Sequence, residues 1–104
     1  MDSTEIISQL IQRRKDLHPD DPAIQEIWNE MVEVLKDNEE KTISLFNSSS
    51  KEELYWLSEI FEDLSFEFQS KKLIDCLLEL QEKSPDIDME DDILYAKESM
   101  NNDQ

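Results

Sequence analysis

Lys51-Glu52-Glu53-Leu54-Tyr55-Trp56-Leu57-Ser58-Glu59-Ile60-Phe61-Glu62-Asp63-Leu64 is the stretch on which the fold class turns. At 100° per residue, Leu54, Leu57, Ile60, Phe61 and Leu64 gather on one stripe. Glu52, Tyr55, Glu59, Glu62 and Asp63 fall on the opposite side, with Trp56 at the border. Ahead of it, Ser49 with Glu52, or Ser50 with Glu53, has the spacing of a capping box. The stretch therefore reads as an amphipathic helix over about 51–64. The next residues, Ser65-Phe66-Glu67-Phe68-Gln69, alternate polar and apolar, but five residues with no second strand pattern to pair with make no sheet. They read as a turn with buried phenylalanines.

The same periodicity extends in both directions. Toward the N-terminus, a helix over about 3–17 buries Ile6, Ile7, Leu10 and Ile11. Asp2 and Glu5 cap its start, and Arg13, Arg14 and Lys15 suit the negative end of its dipole. His18-Pro19 stops it, and Asp21-Pro22 opens a helix over about 22–36 with Ile24, Ile27, Trp28, Met31 and Leu35 as core. A short helix follows over about 39–46. Toward the C-terminus, Ser70 caps a helix over about 70–83 that ends at Ser84-Pro85, because a residue before proline avoids helical backbone. A last helix over about 89–100 has Glu90, Asp91 and Asp92 in its first turn, and Asn101–Gln104 are expected to fray. The expected fold is all-α: about six short antiparallel helices in one bundle or solenoid-like domain covering residues 1–104.

Composition narrows the function. The 104 residues contain 27 Asp+Glu against ten Lys+Arg, a net charge of −17, and no glycine. Residues 52–104 hold 16 of the acids against four lysines. Such a field repels phosphates and anionic lipid and accelerates encounters with cationic proteins by a factor of roughly 10–10³ at low salt. Without glycine there is no Gly-rich phosphate cradle, dinucleotide fingerprint or nucleophile elbow. The single cysteine, Cys76, excludes an internal disulfide and sits in an apolar run as a half-buried thiol. His18, the one histidine, lies in an acidic interhelical loop and is assigned no role. Asp86-x-Asp88-x-Glu90 begins like a calcium loop, but Asp91 stands where glycine is needed and Lys97 where a bidentate glutamate belongs. No metal, cofactor or catalysis is expected. The acidic N-terminus is unlike a signal peptide, no apolar run is long enough to cross a membrane, and a cytoplasmic location fits best.

From Leu54 to Met100 the chain runs through an apolar helix, Phe66-Glu67-Phe68, Leu73-Ile74-Asp75-Cys76-Leu77-x-x-Leu80, Lys83-Ser84-Pro85-Asp86-Ile87 and Asp92-Ile93-Leu94-Tyr95-Ala96. This pattern resembles small helical immunity proteins of bacterial polymorphic-toxin and contact-dependent growth-inhibition systems. The resemblance implies a cytosolic, non-enzymatic protein that covers the active site of a cognate toxin domain. Charge suggests the same mechanism, since a nuclease toxin (RNase or DNase) needs a basic cleft that dense carboxylates can occupy.

The function expected is thus an immunity protein that neutralises a basic toxin domain, as a monomer or 1:1 heterocomplex, with no direct nucleic-acid or membrane contact. Two alternatives are a nucleic-acid mimic that inhibits a DNA-binding protein, and a non-catalytic helical scaffold subunit. The expected partner-binding residues are Tyr55, Trp56, Glu59, Glu62 and Asp63, with a second acidic cluster of Asp86, Asp88, Glu90, Asp91 and Asp92. Tyrosine and tryptophan ringed by acids suit an interface anchor, or equally the packing of Tyr55 and Trp56 on a neighbouring helix.

Overall fold

The computed structural model describes residues 2–100, and every regular element among them is helical. The expected fraying of Asn101–Gln104 lies outside the described residues. In chain order the elements are α1 (Ser3–Lys15), α2 (Ala23–Leu35), α3 (Glu39–Ser48), α4 (Lys51–Leu57), a 3₁₀ turn (Ser58–Ile60), α5 (Phe61–Phe68), α6 (Lys71–Lys83) and α7 (Glu90–Glu98). With α4, the turn and α5 counted as one helical run, this is the all-α, six-helix architecture expected.

Short polar side chains set the helix starts, each satisfying a backbone N–H that has no partner in the first turn. The Asp2 carboxylate accepts from the Glu5 N–H at 3.0 Å, and Asn38 accepts from Lys41 at 3.0 Å. Ser50 and Glu53 form the capping box; of the two spacings open in the sequence, this one is used. Ser70 accepts from the Lys72 N–H. At the end of α5, Gln69 takes left-handed backbone (φ 47°, ψ 48°), the conformation for which helices commonly use glycine. Its side-chain amide donates to the carbonyls of Phe66 and Ser99, both at 2.9 Å, tying the ends of α5 and α7 together.

One continuous core holds the helices. Phe46, Phe61, Leu57, Leu64, Leu73, Leu77 and Met89 are fully enclosed, with Phe46 and Phe61 rings 5.4 Å apart and tilted. Two hydroxyls inside it are satisfied by carbonyls: Thr42 donates to Leu35 at 2.6 Å, and Ser65 to Ala96 at 2.5 Å. Helix α1 lies along α2, and α5 lies along α7. Contacts between the last two advance in one direction, Ser65 to Ala96 and then Gln69 to Ser99, so α7 runs parallel to α5.

Three local expectations change. Helix α1 ends at Lys15 rather than Leu17. Residues 65–68 continue a helix instead of forming a turn, and Phe66 is exposed, because it falls four residues after Glu62 on the solvent stripe while Phe61, Leu64 and Ser65 carry the interior face. Trp28, expected in the core, is half-buried with its indole edge reaching a polar partner.

Phe61→Ala removes a fully enclosed ring and is expected to cost about 3–5 kcal/mol in urea unfolding. A loss under about 1 kcal/mol would contradict this placement of the core.

Candidate functional site

The two acidic segments singled out in the sequence, 55–63 and 86–92, come together in the structure. Helix α7 brings Asp92 beside the Ser58 hydroxyl and within electrostatic reach of Glu59. Glu59 lies in the 3₁₀ turn and faces α1 and α2, on the same side as Glu52, which pairs with Lys15, and Trp56, which lies under Arg14.

Glu59 is the most connected carboxylate of the region. The Arg14 guanidinium donates to both of its oxygens at 2.8 Å, through Nε and Nη2, a bidentate pair. Trp28 Nε1 donates to the same carboxylate at 3.0 Å. The Arg14 guanidinium also lies 4.9 Å from the centroid of the Trp56 ring, whose edge-to-face neighbour is Tyr55 at 5.1 Å. Arg14 is buried, with a side-chain exposure of 10 %, so this pairing replaces the hydration its guanidinium has lost. Position 14 continues the buried stripe of Ile7, Leu10 and Ile11, and that register was the sequence signal for it.

The other candidate residues are distributed as follows. Trp56 is half-buried beneath Arg14 and against the core, whereas Tyr55 is exposed beside it. Glu62 and Asp63 are exposed on α5. Although Asp63 is exposed as a residue, partial desolvation of its carboxyl pushes it above the usual range, and the charges of Glu62 and Glu67 add to the effect. Asp86 stands apart: Lys51 Nζ donates to both its oxygens at 3.1 Å and holds its pKa down. Asp88, Glu90 and Asp91 are exposed. Asp92 is half-buried and raised chiefly by burial, with Asp88, Glu59 and Asp91 adding and the Ser58 hydroxyl opposing. Sequence reasoning did not single out exposed Phe66 and Tyr95 for the site.

Burial pushes the Cys76 thiol up to about 11, so it stays protonated. Among the described residues no group of His, Cys, Asp and Glu is placed to hold a metal ion. A surface depression of about 710 Å³ lies between the starts of α1 and α3 and carries none of these candidates.

Comparison with known families adds one decisive observation: residues 2–100 match the family described as NA37: Nucleoid-associated protein YejK. The chain belongs to that family. Neither the curated proteins nor the solved structures give a significant match. Membership in the nucleoid-associated family corrects the functional expectations drawn from sequence. The resemblance to immunity proteins of contact-dependent growth-inhibition systems does not hold. With it fall the neutralising function and the partner list of a basic toxin domain without nucleic acid. The reason is physical: an apolar helix–turn–helix spacing and a dense acidic surface are properties many helical families share. Neither feature separates a toxin inhibitor from a nucleoid-associated protein.

Two substitutions probe this region. Glu59→Ala leaves Arg14 buried without its anion and Trp28 without its acceptor, and is expected to lower stability by about 1–3 kcal/mol in urea unfolding. A change within about 0.5 kcal/mol would show the clamp to be dispensable. Asp63→Asn works in the opposite direction. The raised folded-state pKa means that wild-type stability grows as pH falls through that value toward 3.8, and a penalty persists at neutral pH. The variant should therefore melt higher than wild type at neutral pH, with the difference closing below pH 3.8. A variant that is less stable at neutral pH would refute this.

Proposed function

We propose that this chain is a non-catalytic, nucleoid-associated protein of the cytoplasm that joins nucleic acid within a protein–DNA assembly. Cationic groups from outside its own surface bridge it to the phosphates. The family description supports the nucleoid role. One structural observation supports the bridged mode: the chain's own cations are largely engaged by its own carboxylates. Arg13 pairs with Glu30, Arg14 with Glu59, Lys15 with Glu52, Lys36 with Glu33, Lys51 with Asp86 and Lys72 with Glu40. Lys41, Lys71, Lys83 and Lys97 remain, spread over α3, both ends of α6, and α7.

Proteins that grip duplex DNA through its backbone commonly neutralise on the order of 6–10 phosphates with lysines and arginines, releasing the bound counterions. Four scattered lysines within a net charge of −17 do not make such a patch. The same surface suits a protein whose basic groups are already on DNA. Non-catalysis is supported by the protonated, buried Cys76 and by His18, which sits in an exposed loop. No helix among the described residues is long and apolar enough to cross a membrane.

The test is retention of the tagged chain on bead-bound duplex DNA, first as purified protein and then in native cell extract. Retention only with extract is the expected result. Saturable retention of the purified chain, collapsing steeply with salt, would replace bridging by direct phosphate contact. Absence from the beads in both conditions would overturn the association itself.

A further inference from the structure

Helices α2 and α5 leave a groove between their outer sides. Trp28 donates to Glu59, and Lys36 lies within electrostatic reach of Glu67, so α2 and the run that holds α5 advance in the same direction. A depression of about 410 Å³ lies between them. Gln25, Asn29, Val32, Glu33 and Lys36 line it from α2 and its C-terminal cap, and Asp63, Phe66 and Glu67 line it from α5. Each set repeats at three and four residues and falls within an arc of about 100° on its own helix. From Gln25 to Lys36 the groove runs about 17 Å at 1.5 Å per residue, the reach of about five residues of extended chain.

The two ends of the groove differ. At one end Lys36 pairs with Glu33 at 2.9 Å, and Glu67 adds to the anionic field around it, so the chain lays its own cation there. Asp63 has no such neighbour. Among the described residues no basic side chain is paired with Asp63 or Glu67, and desolvation and the charges of Glu62 and Glu67 raise the Asp63 carboxyl with no cation opposing them. Phe66, three positions on, is 60 % exposed, and half-buried Val32 adds apolar surface across the groove. Toward the other end the Gln25 amide donates to the Asn29 carbonyl oxygen at 3.1 Å, which leaves the Asn29 N–H groups to donate to an incoming backbone carbonyl.

Charge decides what can fill this groove. Its three carboxylates outweigh its one lysine, so it repels duplex phosphates and also a second copy of this chain, which carries −17. Among the described residues no group of carboxylates is placed to hold a metal ion. An exposed ring beside an unpaired carboxylate suits a guanidinium, which lies flat on aromatic faces and pairs with carboxylates through two N–H donors; an ammonium lacks that planar match. The chain uses the same recognition internally, where Arg14 pairs with both oxygens of Glu59 and lies over the Trp56 ring. The depression between the starts of α1 and α3 holds no aromatic ring and offers no equivalent seat.

We infer that the α2–α5 groove docks an extended, arginine-bearing segment of a DNA-bound protein, with an arginine of that segment paired to Asp63 and Glu67 and laid against Phe66. This rests on the bridged mode proposed above and names the surface that does the bridging.

The test follows amide chemical shifts of the labelled, intact protein with three probes: a peptide alternating arginine and glycine, its lysine–glycine counterpart of equal length and charge, and the polyamine spermidine. The arginine peptide should shift Asn29, Val32, Asp63, Phe66 and Glu67, and should bind at least about threefold more tightly than either other probe. An Asp63→Asn, Phe66→Ala double variant, which touches only exposed positions, should bind it about tenfold more weakly. A matched variant on α7, Asp91→Asn with Tyr95→Ala, also loses one charge and one exposed ring and should stay within about twofold of wild type. Circular dichroism verifies the fold of both variants. Shifts centred elsewhere, equal losses in the two variants, or a lysine peptide or spermidine that binds as tightly as the arginine peptide would each overturn the assignment. So would a self-associated protein whose dimer the groove variant dissolves. No DNA enters this experiment, so its failure is distinct from failure of the nucleoid reading, which the bead experiment reports.

Discussion

The Arg14–Glu59 pair is the constraint around which this fold is organised. A buried guanidinium is tolerated only if an anion and further hydrogen bonds replace the water it has lost. Glu59 meets that demand with both oxygens at 2.8 Å, and it also accepts from Trp28. One carboxylate thereby joins α1, α2 and the turn between α4 and α5, while the Trp56 ring closes the other side of the guanidinium. The turn faces inward at Glu59, and Tyr55 and Glu62 on either side of it remain outward. The helical run thus contributes both to the core and to an acidic, aromatic outer surface.

Much of the fold could be read from residue spacing. Asp2, Ser50 and Ser70 act as the caps their positions suggested, and the apolar stripes of α2, α4 and α6 form the core. What was not legible came from tertiary geometry. The sequence around Ser58–Ile60 looks like uninterrupted α-helix, so nothing local announced the tighter turn in which Glu59 sits. Phe66 was expected inside because it is aromatic, yet helical register places it with Glu62. Trp28 sits at the rim because its indole N–H finds Glu59, a partner 31 residues away. Arg14 was expected only as a cation suiting the negative end of the α1 dipole; its burial depends on a pairing with a residue 45 positions distant.

The candidate site followed the same division. Each acidic segment was visible on its own, and their meeting across α5 and α7 was not, because it depends on α7 running parallel to α5. Charge was legible in amount but not in meaning. A net −17 favours cationic partners, yet it fits several classes of them equally. The family match chose among classes that electrostatics leaves degenerate. What the structure adds is where the chain's own cations go: six of ten are engaged in internal ion pairs, so a nucleoid role has to be reconciled with a surface that presents anions.

The account is tested most directly by sedimenting intact nucleoids from native cells and following the untagged chain by immunoblot, before and after DNase treatment and across a salt series. Association through bridging cations predicts that the chain sediments with nucleoids and is released both by DNase and by raised salt. A chain that stays in the supernatant while the nucleoids pellet intact would contradict it.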